Sequence, residues 1–245
     1  MFARTVVIRQ TRDEGEKPFW ISFSDLMTAC MTVFLIVMAV TVVSMKDEIV
    51  KLKQVTAFAR ERQAEIEQFA DQLRTSSDQE YPDVKVDVIK DTVKIDLGSE
   101  VSFISGSADI SSAGSRFLRG YLPKVLEAAQ TPIGQKWLKR VVVEGFTDTD
   151  GSYLFNLDLS LQRSRKVVCA MYAAPAPGEQ ALPQDELEQI RDLFLVGGYS
   201  FNSMQASKAK SRRIELKLEF WQAGEKEQED KQPKPDLTGK AFGHC

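Results

Sequence analysis

Three hydrophobic periods succeed one another along this 245-residue chain, and each predicts a different kind of element. From Leu26 to Met45 no residue is charged. A run of about 20 residues rising ~1.5 Å each covers the roughly 30 Å hydrocarbon thickness of a bilayer, which predicts a membrane-spanning helix. The run is too long for a typical signal-peptide core and continues into a charged helical segment rather than a small-residue cleavage site, so the anchor is expected to remain uncleaved. Met45, Ile49, Leu52, Thr56, Ala59, Gln63, Ile66, Ala70 and Leu73 then recur four and three apart, the spacing that holds a seam against a partner helix. Polar Thr56 and Gln63 and small Ala59 and Ala70 make the seam weak; a solvated helical spacer fits the same residues.

Near Tyr81-Pro82 the pattern changes again. Val84 to Ile89 and Thr92 to Leu97 alternate around Lys90-Asp91 as a hairpin. Ser111 to Ala129 predicts a helix with a serine start, Arg140 to Glu144 a buried strand, and Ser160 to Tyr172 a helix capped by Ser160. Ala173 to Leu182, with Pro175, Pro177, Gly178 and then Pro183, reads as a loop. Asp185 to Leu195 reads as a helix stopped by Gly197-Gly198, and Arg213 to Phe220 as a last strand. The order ββαβααβ predicts an α+β sandwich with helices on one face of a small mixed sheet. The expected organisation is an N-terminal tail (1–18), a single transmembrane helix (19–45), a coiled-coil linker (46–75), a globular domain (76–221) and a polar C-terminal tail (222–245).

Charge and chemistry sharpen this outline at a few positions. Asp25 stands at the edge of the apolar run, after the amphipathic stretch Phe19 to Ser24. A carboxylate near hydrocarbon costs about 2.5–3.5 kcal/mol on insertion scales and usually marks an ion or proton path; the alternative is an interfacial Asp that begins the span at the headgroups. Arg4, Arg9, Arg12 and Lys17 before the span balance Lys46, Lys51, Lys53, Arg60 and Arg62 after it, so flanking charge does not orient the helix. The net charge of −3 and the lack of a long basic block argue against a nucleic-acid partner. With His244 as the only histidine and Cys30, Cys169 and Cys245 far apart, neither a His-based triad nor a metal site is expected. Cys30 reads as a small apolar residue of the span.

Three stretches carry a resemblance. Phe103-Ile104-Ser105-Gly106-Ser107-Ala108-Asp109-Ile110 resembles the "F-x-x-G-S-A-x-[IL]" entry of OmpA-like peptidoglycan-binding domains. Val142 to Gly151 resembles their "G-[HYF]-T-D-x-x-G" turn, and Asn156 to Arg163 their "N-x-x-L-S-x-x-R" helix. The likeness spans roughly residues 80–220. It implies an OmpA-like α/β sandwich in which Asp148 and Arg163 bind the diaminopimelate of the peptide stem. That role suits their chemistry, since a carboxylate takes an ammonium and a guanidinium takes a carboxylate bidentately. Thr147 belongs to the same turn, Asn156 and Leu159 frame the pocket, and Tyr153 packs over it. A structural turn Asp paired with a helix Arg is the plainer alternative. Phe146 replaces the family's frequent His, and Gly197-Gly198-Tyr199-Ser200 its usual "G-x-G-E".

Trp20 to Thr28 resembles the "W-x-x-[SA]-[YF]-[AS]-D-x-M-T" of MotB-type stator subunits, with one residue fewer between the Trp and the Asp. That likeness implies a homodimer inside a ring of five MotA-like subunits, with Asp25 carrying the translocated ion, H+ or Na+, and no other cofactor. It also implies a cytoplasmic N-terminus and a periplasmic wall-binding domain on the bacterial inner membrane. The long heptad running almost directly into the wall domain, and the polar tail, look more like the MotB-like (ZorB-type) subunits of Zorya anti-phage defence systems, whose partner is a MotA-like (ZorA-type) subunit. A flagellar stator subunit and a passive wall tether stay open. A wall hydrolase using Glu144, Asp148 or Asp150 has no nucleophile or metal set behind it. The periplasmic placement makes Cys169 and Cys245 a candidate disulfide that folds the tail over the domain.

Overall fold

In the computed structural model the described residues are 17–78, 80–175, 177, 180–233, 237 and 239–243. Most of the predicted N-terminal tail, and Cys245 of the candidate disulfide, lie outside them. Helix α1 (Lys17–Asp78) comes first, and the chain divides into two compact units between Ala57 and Phe58.

In the first unit the α1 residues from Trp20 onward are exposed, and among the described residues this is the one helix long and apolar enough to cross a membrane. Its threonines are compatible with lipid because each hydroxyl donates to its own backbone: Thr28 to the Ser24 and Asp25 carbonyls (3.0 and 2.9 Å), Thr32 to Ala29 (2.8 Å) and Thr41 to Met38 (2.9 Å).

The second unit is built on strands β1 (Lys85–Ile89), β2 (Thr92–Asp96), β3 (Leu138–Gly145), β4 (Phe194–Gly198) and β5 (Ile214–Phe220), in the order β1-β2-β5-β3-β4. All pairs are antiparallel except β3–β4. The period-two pattern works as expected. Val93 pairs with Leu218, Ile95 with Leu216, Val141 with Leu218 and Val143 with Leu216, and these six side chains bury one face. The opposite face is a charged ladder: Lys94–Glu215 at 3.1 Å, Arg140–Glu219 at 2.6 Å and Lys217–Glu219 at 2.8 Å. A sheet that is apolar on one side and ionic on the other packs its helices on one side only.

That apolar face is covered by α2 (Ser112–Gln130), through Leu118, Tyr121, Leu122 and Val125, and by the last turns of α1. Here the heptad reading is corrected. Ile66, Ala70 and Leu73 of the predicted seam, with Phe69 beside them, are buried in this chain's own core, where Phe69 meets Phe220 edge-to-face at 5.6 Å. The 3.6-residue period that suits a partner helix also suits a sheet, and the sheet is in the same chain. Polar contacts fasten the same turns: Arg62 Nε donates to the Trp221 carbonyl (2.8 Å), Arg74 Nε to the Val86 carbonyl (2.8 Å), and Lys136 bridges Glu61 and Glu65. Met45, Ile49, Leu52 and Thr56, the earlier half of the seam, are exposed.

Two further differences surround the site. The helix predicted from Ser160 is α4 (Tyr153–Tyr172), capped by Ser152, which accepts from the Phe155 amide at 3.3 Å. Ser160 lies inside it, donating to the Leu157 carbonyl and accepting from the Ser200 amide. The segment predicted to end a helix at Gly197-Gly198 is instead strand β4, following a shorter α5 (Gln184–Leu193). Its glycines are spacing devices rather than a stop. Gly145 of β3 and Gly198 of β4 are register partners, and a Cβ on Gly145 would collide with the Ser160 carbonyl while one on Gly198 would sit 2.8 Å from the Leu161 amide. Two glycines facing Ser160 and Ser164 let α4 lie directly on the sheet. Short helices α3 (Pro132–Trp137), α6 (Lys208–Ser211) and α7 (Glu225–Glu229) complete the fold, α7 falling inside the predicted tail.

Candidate functional site

The turn after β3 and the first half of α4 bring Thr147, Asp148, Tyr153, Asn156, Leu159 and Arg163 into one region. The turn is a closed unit. Asp148 Oδ1 accepts from the Asp150 amide (3.1 Å), Gly151 reverses the chain at φ +100°, and Asn156 Nδ2 donates to the carbonyls of Asp150 (2.9 Å) and Ser152 (3.2 Å). Asn156 is therefore a brace for the turn, and Leu159 on the same helix is buried.

Asp148 and Arg163, expected to act as a pair, have different surroundings in the fold. Arg163 is fully buried, and its guanidinium donates to three backbone carbonyls: Ser107 (3.0 Å), Phe146 (3.2 Å) and Ile104 (3.2 Å), while lying 4.8 Å over the Phe103 ring. It thus ties the Phe103–Ile110 loop to the end of β3. Burial lowers its pKa to about 10, opposed by nearby Asp148 and reinforced by Arg212, so it stays charged at neutral pH.

Asp148 pairs instead with Arg212, whose Nη1 lies 2.7 Å from Oδ2. Burial alone would push the Asp148 carboxyl up; Arg212, the Asp150 amide and Lys208 outweigh it and hold the group below the usual carboxylate value. Lys208 pairs with Asp150 on the outer side of the turn. Thr147 is buried, its amide donating to the Ser200 carbonyl (2.9 Å), and its hydroxyl has no hydrogen-bond partner among the described residues. A buried hydroxyl left unpaired costs about 1–3 kcal/mol, which a bound ligand offering a partner would recover.

Over 238 residues, 97% of this chain and 94% of the relative, the sequence is 38% identical to the Zorya protein ZorB of Escherichia coli O139:H28 (strain E24377A / ETEC). The chain belongs to the ZorB family. A second Zorya protein ZorB, from Escherichia coli strain ATCC 8739, is 26% identical over 170 residues, 66% of this chain and 70% of that one. Among solved structures, a putative MotB-like protein from Desulfovibrio vulgaris superposes with a TM-score of 0.45 at 17% identity, covering 66% of this chain and 95% of that one. The periplasmic domain of Helicobacter pylori MotB gives 0.42 at 13%, covering 64% and 94%. No protein-family model matches the sequence.

In this family member the residues missed from the sequence are those of the loop before β5. Arg212 supplies the partner of Asp148. Ser200, in a left-handed conformation at φ +54°, holds Thr147 and donates through Oγ to the Tyr153 carbonyl. The doublet Arg212-Arg213 at the mouth of an alternating strand was the available signal, because neighbouring side chains there diverge. Arg213 pairs with buried Glu215 at 2.6 Å, and Arg212 reaches the turn. Asp25, in the other unit, is exposed on α1, and its backbone carbonyl accepts from Thr28.

Proposed function

We propose that this chain is the wall-anchored subunit of an ion-driven inner-membrane stator in Zorya-type anti-phage defence. In this reading Asp25 carries the translocated H+ or Na+, two copies sit within a ring of MotA-like subunits, and the domain beyond residue 58 grips peptidoglycan outside the inner membrane. Family membership supports the defence setting, as the relatives are Zorya proteins. The observation that carries the ion-coupled reading is a carboxylate at the head of an apolar membrane-length helix, Asp25. A passive tether needs no such group, because a charge there costs about 2.5–3.5 kcal/mol. One elementary charge crossing 100 mV supplies about 2.3 kcal/mol, a useful bias on a conformational step in a surrounding ring.

On the wall side, Asp148 would receive the ammonium of the diaminopimelate and release Arg212 to its carboxylate, while the Thr147 hydroxyl gains a partner. Arg163 supports this by holding two site loops together.

The test is Asp25→Asn in the full chain expressed with its neighbouring membrane subunit. Size and hydrogen bonding are kept, but the group no longer alternates between charged and neutral forms. The variant is expected to assemble and to bind sacculi normally while phage protection is lost. Full protection at normal expression would reduce the protein to a tether.

A further inference from the structure

A groove of about 530 Å³ lies between α4, α5, β4 and the C-terminal tail, and none of its lining residues belongs to the Thr147–Arg163 site. Its floor is apolar. Ile190 and Phe194 are buried, with Val168 of α4 and Val196 of β4 beside them. The tail forms one wall, where Phe242 packs against Tyr172 at 4.9 Å. Three cations, Arg165, Arg191 and Lys240, and no carboxylate stand among the lining residues. Arg191 is already committed, to Asp192 at 2.8 Å and to the Leu237 carbonyl at 3.2 Å. Arg165 and Lys240 are exposed, and neither has an ion pair or a side-chain hydrogen bond among the described residues.

We propose that this groove binds a long-chain alkyl carboxylate, its head held by Arg165 and Lys240 and its chain lying on Val168, Ile190, Phe194 and Val196. The charge pattern selects this chemistry. Two cations without a counter-ion at one groove repel each other, and an anion between them turns that repulsion into attraction. The guanidinium of Arg165 matches a carboxylate bidentately, while Lys240 adds a point charge on a flexible stem. A small anion would leave the apolar floor wet, whereas an alkyl chain takes it out of water in proportion to the area covered. A cationic amphiphile would be repelled, and a neutral one would leave both cations unanswered. The size fits one such molecule, since small-molecule sites run from about 300 to 1,000 Å³, and is too small for a protein face of about 800 Å² per partner. Because the ligand touches two helices, a strand and the tail at once, its binding would pin the tail to the domain. The site stands apart from the wall-binding reading, with which it shares no residue.

The experiment uses the full chain in nanodiscs and a dodecanoate carrying a photoactivatable diazirine, with the crosslinked peptides mapped by mass spectrometry. Labelling of the apolar run of α1 reports delivery of the probe and serves as the internal control. Peptides containing Val168, Phe194 and Phe242 are expected to be labelled, with competition by unlabelled dodecanoate but not by acetate or dodecyltrimethylammonium. Arg165→Glu and Lys240→Glu should each cut groove labelling about tenfold or more, the loss of one charge-assisted contact, while labelling of α1 is unchanged. The double variant should in turn accept a diazirine-bearing alkyltrimethylammonium probe that the unaltered groove refuses. An unaltered chain labelled on α1 but not in the groove overturns the proposal, and so does groove labelling that survives both charge reversals. A double variant that refuses both probes overturns it as well, because the two cations would then be supports of the tail rather than the ligand's partners.

Discussion

At the scale of single residues, the proposed function gives the two arginines of the site different parts, support for Arg163 and recognition for Arg212. Arg163→Ala removes the donors of three buried carbonyls and opens a cavity beneath the turn. It should cost at least about 3 kcal/mol of stability, read as a lowered urea midpoint of the full chain. Arg212→Ala, at a half-buried position, should leave the midpoint nearly unchanged yet weaken sacculus binding by about tenfold. The reverse pattern would return Arg163 to the role of direct ligand. Acidity gives an independent check on Asp148. Its carboxyl is held below the usual ~3.9, so its contribution is complete above that value and lost only as pH falls through the depressed folded pKa. The stability difference between the unaltered chain and Asp148→Asn should be flat from neutral pH to about 5 and shrink below about 4. A change centred near pH 6 would contradict the Arg212 pairing.

Among the elements, α1 does two jobs along one sequence. Its later turns belong to the domain core, so Ile66→Ala should destabilise the domain by about 2–5 kcal/mol. Its earlier turns, with Met45, Ile49, Leu52 and Thr56 exposed, are where pairing of two copies can occur. Cysteine at Ile49 or Leu52 is expected to give crosslinked dimers, whereas cysteine at Ile66 or at outward Lys51 should not. Equal crosslinking at all four positions would mean that the heptad is a spacer and the domain's hold on α1 is loose. The glycine pair Gly145 and Gly198 is a second device at this scale, because it sets the height of α4 above the sheet and with it the placement of Asn156 and Arg163.

For the molecule as a whole, the polar tail is a strap over the α4–α5 side of the domain. Phe242 packs against Tyr172 at 4.9 Å and lies 5.9 Å from Arg191, which also donates to the Leu237 carbonyl at 3.2 Å. These residues and Cys169 line one groove together with residues 240, 241 and 243, a placement consistent with the proposed Cys169–Cys245 bridge. Intact mass after alkylation should show both thiols protected until reductant is added. Alkylation of both Cys169 and Cys245 in the unreduced protein would end that proposal.

The span, the hairpin, the alternating strands and the motif turn were legible in the sequence because local periodicity and turn chemistry decide them. Asp25 was legible for a related reason: a charge beside a long apolar run is conspicuous whatever the fold. Tertiary structure decided the rest. Whether Ile66 to Leu73 met a second helix or a sheet depended on which surface the folded chain offered. Gly197-Gly198 reads as a helix stop until a helix is found lying on it. The division of labour between Arg163 and Arg212 came from burial and from contacts 64 residues apart, Asp148 to Arg212, which no local pattern encodes.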